Sequence, residues 1–207
     1  MSEQFFITAT GTDIGKTFIL QKLALQLSKN KKKFFALKPV ISGFSDNDPD
    51  SDSAKILQTL KLDLNHDNLD KISPWRFKAA LSPNIAANLE NKTIDFDQII
   101  SFCQKHIALA KKNNINLLIE GAGGVMTPVT DNKTFCDLMA ALKLPVILVI
   151  GNYLGTISHS LSAIKTLEHY GLKIDRIIVN NKADDNTILT DTIKTLKNFT
   201  DLKIITL

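Results

Sequence analysis

The chain has 207 residues, 44% of them apolar and 22% charged, with a formal net charge of +4. That is enough for one domain with a sizeable core and ordinary for a soluble globular protein. It excludes a membrane-spanning helix, because no apolar run approaches the roughly 20 residues that a span needs.

The start of the chain carries neither a basic segment nor an apolar stretch long enough for a secretion signal, so a cytoplasmic location is expected. The densest basic run, residues 29–33, falls at the end of an expected helix. Lysines suit the helix dipole and solvent there, and no nucleic-acid partner is expected. Cys103 and Cys136 have neither metal-ligand spacing nor a disulfide framework, and read as buried free thiols.

In chain order, an apolar strand over residues 5–9 leads into Thr8-Ala9-Thr10-Gly11-Thr12-Asp13-Ile14-Gly15-Lys16-Thr17, and a helix over 16–28 follows. Strand, small-residue loop ending in Gly-Lys-Thr, then helix is the layout of a phosphate-binding P-loop. Its N–H groups and the helix dipole converge on one spot, where a triphosphate binds. Lys16 can reach the β- and γ-phosphates, and the Thr17 hydroxyl can ligate Mg²⁺. The strict motif asks for glycine where Thr10 stands; Gly11 and Gly15 are the glycines present.

A second strand over 34–37 ends at Lys38-Pro39-Val40-Ile41-Ser42-Gly43. Pro39 removes a donor and stops the ladder, which sets Lys38 beside the P-loop lysine. Two ammonium groups there can balance charge that spreads in phosphoryl transfer. Residues 42–95 form a long insertion with Asp46, Asp48, Asp50 and Asp52, a short helix over 53–60, and the segments Ser73-Pro74-Trp75 and Ser82-Pro83-Asn84. Insertions of this length are often functional. Ser51-Asp52-Ser53 reads either as a helix cap or as the source of a carboxylate on Mg²⁺, with Asp48 and Asp50 as rivals.

A helix over 96–112 and a strand over 115–119 precede Glu120-Gly121-Ala122-Gly123-Gly124. A carboxylate at a strand end suits a Mg²⁺ ligand, and glycines let backbone approach a ligand closely. A helix over 134–142 and a strand over 145–150 lead to a segment from Gly151 to His159, which offers N–H groups for an anion. There His159 reads more readily as structural than as a ligand. A helix over 158–170, a strand over 176–180, a helix over 187–198 and a strand over 203–206 complete the chain. Asn181-Lys182-Ala183-Asp184 has the N-K-x-D form that reads guanine, but no D-x-x-G follows the 115–119 strand.

The strands do not alternate in polarity, so both faces are expected to be buried. Strands alternating with helices imply an α/β fold of P-loop NTPase type, with a mostly parallel sheet covered on both faces. The P-loop, Lys38, Glu120, Gly151 and Asn181 then share the edge where strands end.

These pieces, in this order, resemble dethiobiotin synthetase over nearly the whole chain. The resemblance rests on residues 12–17, 38–43, 82–84, 120–124, 145–149 and 154–159. It implies one P-loop domain with a substrate-binding insertion around residues 42–95. It implies that ATP and CO₂ are consumed with Mg²⁺ to close a ureido ring on 7,8-diaminononanoate, through a carbamate and its phosphate. Lys16 and Lys38 are then catalytic. ATP is bound by Asp13, Ile14, Gly15, Lys16, Thr17, Phe18, Asp52, Glu120, Gly121, Ala122, Gly123 and Asn181. Thr17, Asp52 and Glu120 hold the metal. Substrate is bound by Thr12, Lys38, Ser42 and Pro83. A homodimer is implied too, with the substrate's carboxylate tail on Leu154, Gly155, Thr156, Ile157 and Ser158 of the second subunit.

There are departures. The family usually has glycine where Ala9 stands and a lysine where Tyr153 stands, and its usual Asn-Asp after the 176–180 strand is Asn181-Lys182 here. In relatives a Gly-x-x-Pro segment beyond the position of Leu207 closes over the base, so a permissive base pocket is expected. The rival reading is a dimeric P-loop ATPase switch of the partitioning or positioning type. Such proteins carry an extra lysine at the start of the P-loop, and residues 9–14 contain none.

Overall fold

A computed structural model of the chain describes residues 2–46, 48–181 and 186–206. The elements run β1 (Gln4–Ala9), α1 (Lys16–Lys29), β2 (Phe34–Leu37), β3 (Val40–Ser42), α2 (Asp52–Leu60), α3 (His66–Ile72), β4 (Trp75–Phe77) and α4 (Pro83–Leu89). Then come α5 (Phe96–Lys112), β5 (Asn116–Glu120), α6 (Phe135–Leu142), β6 (Val146–Gly151), α7 (Thr156–His169), β7 (Ile174–Asn180), α8 (Asn186–Lys197) and β8 (Ile204–Thr206). No described helix is long and apolar enough to cross a membrane.

Six strands form one sheet in the order β2-β5-β1-β6-β7-β8, and every neighbouring pair is parallel. All residues of β1, β5 and β6 are buried. Unbroken apolar runs such as Phe5-Phe6-Ile7 and Val146-Ile147-Leu148-Val149-Ile150 suit strands with both faces covered, and helices cover them here. Ile19 and Leu20 of α1 are fully buried, as are Leu117 and Ile119 of β5.

The parallel arrangement brings the ends of β1, β2, β5, β6 and β7 to one edge. Because β1 lies between β5 and β6, the loop leaving Ala9 opens beside Glu120, the last residue of β5. This is the crevice in which open α/β sheets bind ligands.

The insertion holds more regular structure than its sequence suggests. Pro39 does end the main ladder, but the chain becomes extended again as β3, which pairs in parallel with β4 through Val40–Trp75, Ile41–Arg76 and Ser42–Phe77. Neither three-residue strand is long enough to show a period of two, and α3 and α4, of seven residues each, span only two helical turns. Another difference lies at α7, which begins at Thr156 rather than at Ser158. Gly155 adopts φ 95, and the Thr156 hydroxyl donates to the Gly151 carbonyl at 2.6 Å.

Cys103 and Cys136 are free and buried. Burial pushes the Cys103 thiol up to about 12; burial and the Asp137 carboxylate push Cys136 up to about 11. An unfolded thiol ionises near about 8.5. The unfolded chain therefore binds fewer protons than the folded one above that pH, and stability falls as pH rises. We expect the urea-unfolding free energy to drop from about pH 9 upward, by about 1.4 kcal/mol per pH unit for Cys103, a slope that Cys103→Ala flattens. At pH 8 a thiol reagent should label neither cysteine until the chain is denatured.

Candidate active site

The loop between β1 and α1 is shaped by two left-handed residues, Asp13 at φ 56 and Gly15 at φ 101. A Cβ on Gly15 would lie 2.1 Å from Asn180 Nδ2, which donates to the Ile14 carbonyl at 2.8 Å. The end of β7 therefore buttresses the P-loop, and only glycine fits at residue 15. Gly15→Ala should lower the urea-unfolding free energy by at least about 1–2 kcal/mol from the left-handed backbone alone, and an unchanged midpoint would contradict this account.

The loop after β5 folds over the start of the P-loop. The Gly121 N–H donates to the Ile7 carbonyl at 3.0 Å, and the Val125 N–H to the Ala9 carbonyl at 3.1 Å. The Thr127 hydroxyl accepts from the Gly124 N–H at 2.8 Å. Gly123, at φ 64, sits so close to Thr127 that a Cβ would come within 2.3 Å of its hydroxyl.

Between these loops stand the charged groups. The Lys16 ammonium donates to the carbonyls of Gly11 at 3.0 Å and Gly123 at 2.7 Å, tying the two loops together. Burial, aided by the nearby Lys38, pushes its pKa down to about 8 against the pull of Glu120, Asp52 and Asp13. The buried Lys38 ammonium donates to Glu120 Oε1 at 2.8 Å and to Asp52 Oδ2. Burial opposes its charge, yet Glu120 and Asp52 hold the ammonium above its ordinary pKa. Burial likewise opposes ionisation of Asp52, and Lys38 outweighs it, so that carboxyl lies below the usual range. The Thr17 hydroxyl donates to Glu120 Oε1 at 2.7 Å. Glu120 is fully buried, and its second oxygen, Oε2, makes no hydrogen bond among the described residues.

These side chains line a cleft of about 780 Å³, whose other side carries Ile41, Ser42, Leu81, Ser82 and Pro83 from the insertion. The arrangement combines N–H groups at a helix start, two buried ammonium groups, and two carboxylates beside a hydroxyl. It can take a polyphosphate, a hard cation and an anionic acceptor side by side.

A family model described as an AAA domain matches residues 3–206. The ATP-dependent dethiobiotin synthetase BioD of Caulobacter vibrioides (strain NA1000 / CB15N) is 42% identical over 184 residues, covering 88% of this chain and 81% of that protein. That of Bacillus subtilis (strain 168) is 36% identical over 180 residues, covering 87% and 75%. The chain belongs to the dethiobiotin synthetase family. Among solved structures, the ParA family ATPase from Chlorobium tepidum matches with a TM-score of 0.57 at 19% identity, over 100% of this chain and 84% of that one. Chloroplast FtsY from Physcomitrella patens matches with a TM-score of 0.57 at 11% identity; the match covers 99% of this chain but only 57% of that one. At such identities the likeness is one of fold alone.

The fold brings most of the residues named for a dethiobiotin synthetase site to the cleft. Thr12, Asp13, Gly15, Lys16, Thr17, Phe18, Lys38, Ser42, Asp52, Pro83, Glu120, Ala122 and Gly123 all line it. Of the competing aspartates, only Asp52 does. The Asp48 carboxylate accepts from the Asp50 N–H at 2.9 Å, and the pair shapes the loop before α2. Ser51 caps α2 by accepting from the Ala54 N–H, so the cap and the carboxylate are neighbouring residues rather than alternatives.

Other expected residues stand apart from the cleft. Ile14 and Gly121 do not line it: the Ile14 carbonyl is taken by Asn180, and Gly121 lies against the Phe6 and Phe135 rings. Asn181 lies off the cleft, its side-chain oxygen accepting from Asn152 at 3.1 Å. Lys182, Ala183 and Asp184 of the N-K-x-D segment fall outside the described residues. Leu154, Gly155, Thr156, Ile157 and Ser158 do not reach this chain's own cleft. Thr156 has its hydroxyl on Gly151 and its N–H on the Tyr153 carbonyl. His159 is paired with the Tyr153 hydroxyl at 2.9 Å. Lys55, Ala80, Leu81, Thr127 and Pro128 also line the cleft and went unread in the sequence. Lys55 lies one turn beyond Asp52 on α2, a helical spacing that would have found it once Asp52 was chosen.

Proposed function

We propose that the chain is a dethiobiotin synthetase that works in the cytoplasm and uses ATP, Mg²⁺ and CO₂ to close the ureido ring on 7,8-diaminononanoate. The observation that carries this reading is the cluster of Lys16, Thr17, Lys38, Asp52 and Glu120 on one cleft, in a chain of this family. One amine of the substrate adds to CO₂ and loses a proton, giving a carbamate. A carbamate oxygen takes the γ-phosphoryl group, and ADP leaves. The second amine attacks the carbamate carbon, phosphate departs with the C–O bond electrons, and the amine's proton is lost.

The carbamate and the γ-phosphoryl group are both anionic, so their approach needs positive charge held in place. In this reading Lys16 and Lys38 supply it, and the P-loop N–H groups hold the remaining phosphates. Ser42 offers a hydroxyl to the carbamate. Thr12, Lys38, Ser42 and Pro83 form the wall against which the diamine is positioned. The donor set fits Mg²⁺: Glu120 Oε2 is buried and has no partner among the described residues, and the Asp52 carboxylate and Thr17 hydroxyl stand next to Glu120. When bound, the ion would supply further positive charge to the phosphoryl oxygens.

The same reading makes the active unit a homodimer. Leu154 is fully exposed and Tyr153 partly so, and Ile85 and Leu89 of α4, with Leu81 just ahead of that helix, are exposed apolar side chains. A second copy would cover such surfaces, and the start of α7 would offer N–H groups and its dipole to the substrate's carboxylate. Sedimentation should show a dimer at working concentration; an active monomer would refute this part.

The deciding experiment incubates purified protein with the diamine, bicarbonate and MgATP. Dethiobiotin should appear with one ADP per ring closed. ATP hydrolysis that ignores the diamine, with no dethiobiotin, would favour an ATPase switch instead.

A further inference from the structure

We propose that Lys38 is a positioning residue that sits between the two carboxylates meant for the metal until a nucleotide arrives, and so keeps a free divalent cation out. The inference rests on the metal ligands named above and adds an order to their filling.

Lys38 Nζ touches both Asp52 Oδ2 and Glu120 Oε1, and Glu120 Oε1 also receives the Thr17 hydroxyl. Asp52 Oδ2, Glu120 Oε1 and the Thr17 hydroxyl are thus engaged in one network with a buried ammonium, while Glu120 Oε2 has no hydrogen-bond partner among the described residues. The other ammonium of the cluster is spent elsewhere, since Lys16 donates to two backbone carbonyls. Lys38 is therefore the cation in direct contact with these carboxylates among the described residues. A divalent cation using the same oxygens would lie within a few ångströms of Nζ, where like charges in a low-dielectric site repel strongly. Lys38 would have to withdraw, and a buried ammonium stripped of its anions is costly. A triphosphate on the P-loop removes that obstacle, because its terminal oxygens give Lys38 a new anionic partner in the same cleft. Cation and nucleotide then bind with positive coupling, each raising the affinity of the other by the same factor.

Mn²⁺ is the probe, followed by its electron paramagnetic resonance signal on the full-length protein. Without nucleotide, the wild type should bind Mn²⁺ weakly. Lys38→Met, which keeps the bulk and removes the charge, should bind it at least about tenfold more tightly, while Lys38→Arg should show no gain. Equal affinities in wild type and Lys38→Met would overturn the inference. A second measurement does not depend on the variants folding: the wild type alone, with and without a non-hydrolysable ATP analogue, should show a protein-bound Mn²⁺ signal only with the analogue. One tight Mn²⁺ per wild-type chain in the absence of nucleotide, lost in Glu120→Gln, would also sink it. If no protein-bound Mn²⁺ appears even with the analogue, the metal ligands themselves are misassigned and the inference falls with them. Dethiobiotin formation by the wild type tests the enzymatic reading separately.

Discussion

Lys16→Ala should lower turnover by at least about 100-fold, the scale on which enzymes lose a preorganised electrostatic stabiliser. The expectation follows from where this ammonium is held. Lys16 is buried, at the start of α1, and is anchored by carbonyls from both the P-loop and the Gly123 turn. A charge fixed in a site shielded from water needs little reorganisation as negative charge spreads over a phosphoryl group. Alanine removes that charge and also unties the two loops. The two losses separate experimentally. Untying the loops would weaken nucleotide binding, whereas losing the charge lowers the single-turnover rate at saturating nucleotide. A near-normal rate under saturation would remove Lys16 from the chemistry and leave it a structural tie.

Glu120→Gln should raise the Mg²⁺ concentration for half-maximal activity by at least about tenfold, with a loss of kcat that saturating Mg²⁺ does not fully restore. Glu120 is the fully buried carboxylate of the cluster; Asp52 is partly exposed. The amide keeps the shape but loses the charge, and its Nε2 donor would face either Thr17 or the side where Glu120 Oε2 has no partner among the described residues. Asp52→Asn should act in the same direction but less strongly, since water can reach and replace that group. Titrating activity against Mg²⁺ for both variants checks the order. If Asp52→Asn leaves the Mg²⁺ dependence unchanged while Asp48→Asn alters it, the ligand has to be reassigned. That outcome would contradict the geometry, in which Asp48 is turned toward the Asp50 backbone.

Several features were legible because they are local. Phe5-Phe6-Ile7 followed by Gly15-Lys16-Thr17 and an apolar helix declares strand, phosphate loop and helix within some 25 residues. The continuous apolar runs of β1, β5 and β6 declare burial on both faces, and so a parallel sheet. Glu120 ending a strand and Lys38 following one could be placed at the ligand edge, because in a parallel sheet all strand ends of one kind share an edge. The short elements β3, β4, α3 and α4 escaped notice, since each spans too few residues for a period to emerge.

What the sequence by itself determined was therefore the class of fold, the phosphate loop and the set of residues at one edge of the sheet. These depend on spacings of a few residues along the chain. Tertiary structure alone decided which of them meet. Lys38 and Glu120 are 82 positions apart, and they touch because β5 is inserted between β2 and β1, an order that no local pattern specifies. The packing of the insertion, in which α2 begins at Asp52, likewise puts Asp52 and Lys55 on the cleft and leaves Asp48 and Asp50 off it. Residues can be assigned to an edge from their neighbours in sequence, but pairing across that edge follows strand order, which the packing of the whole core sets.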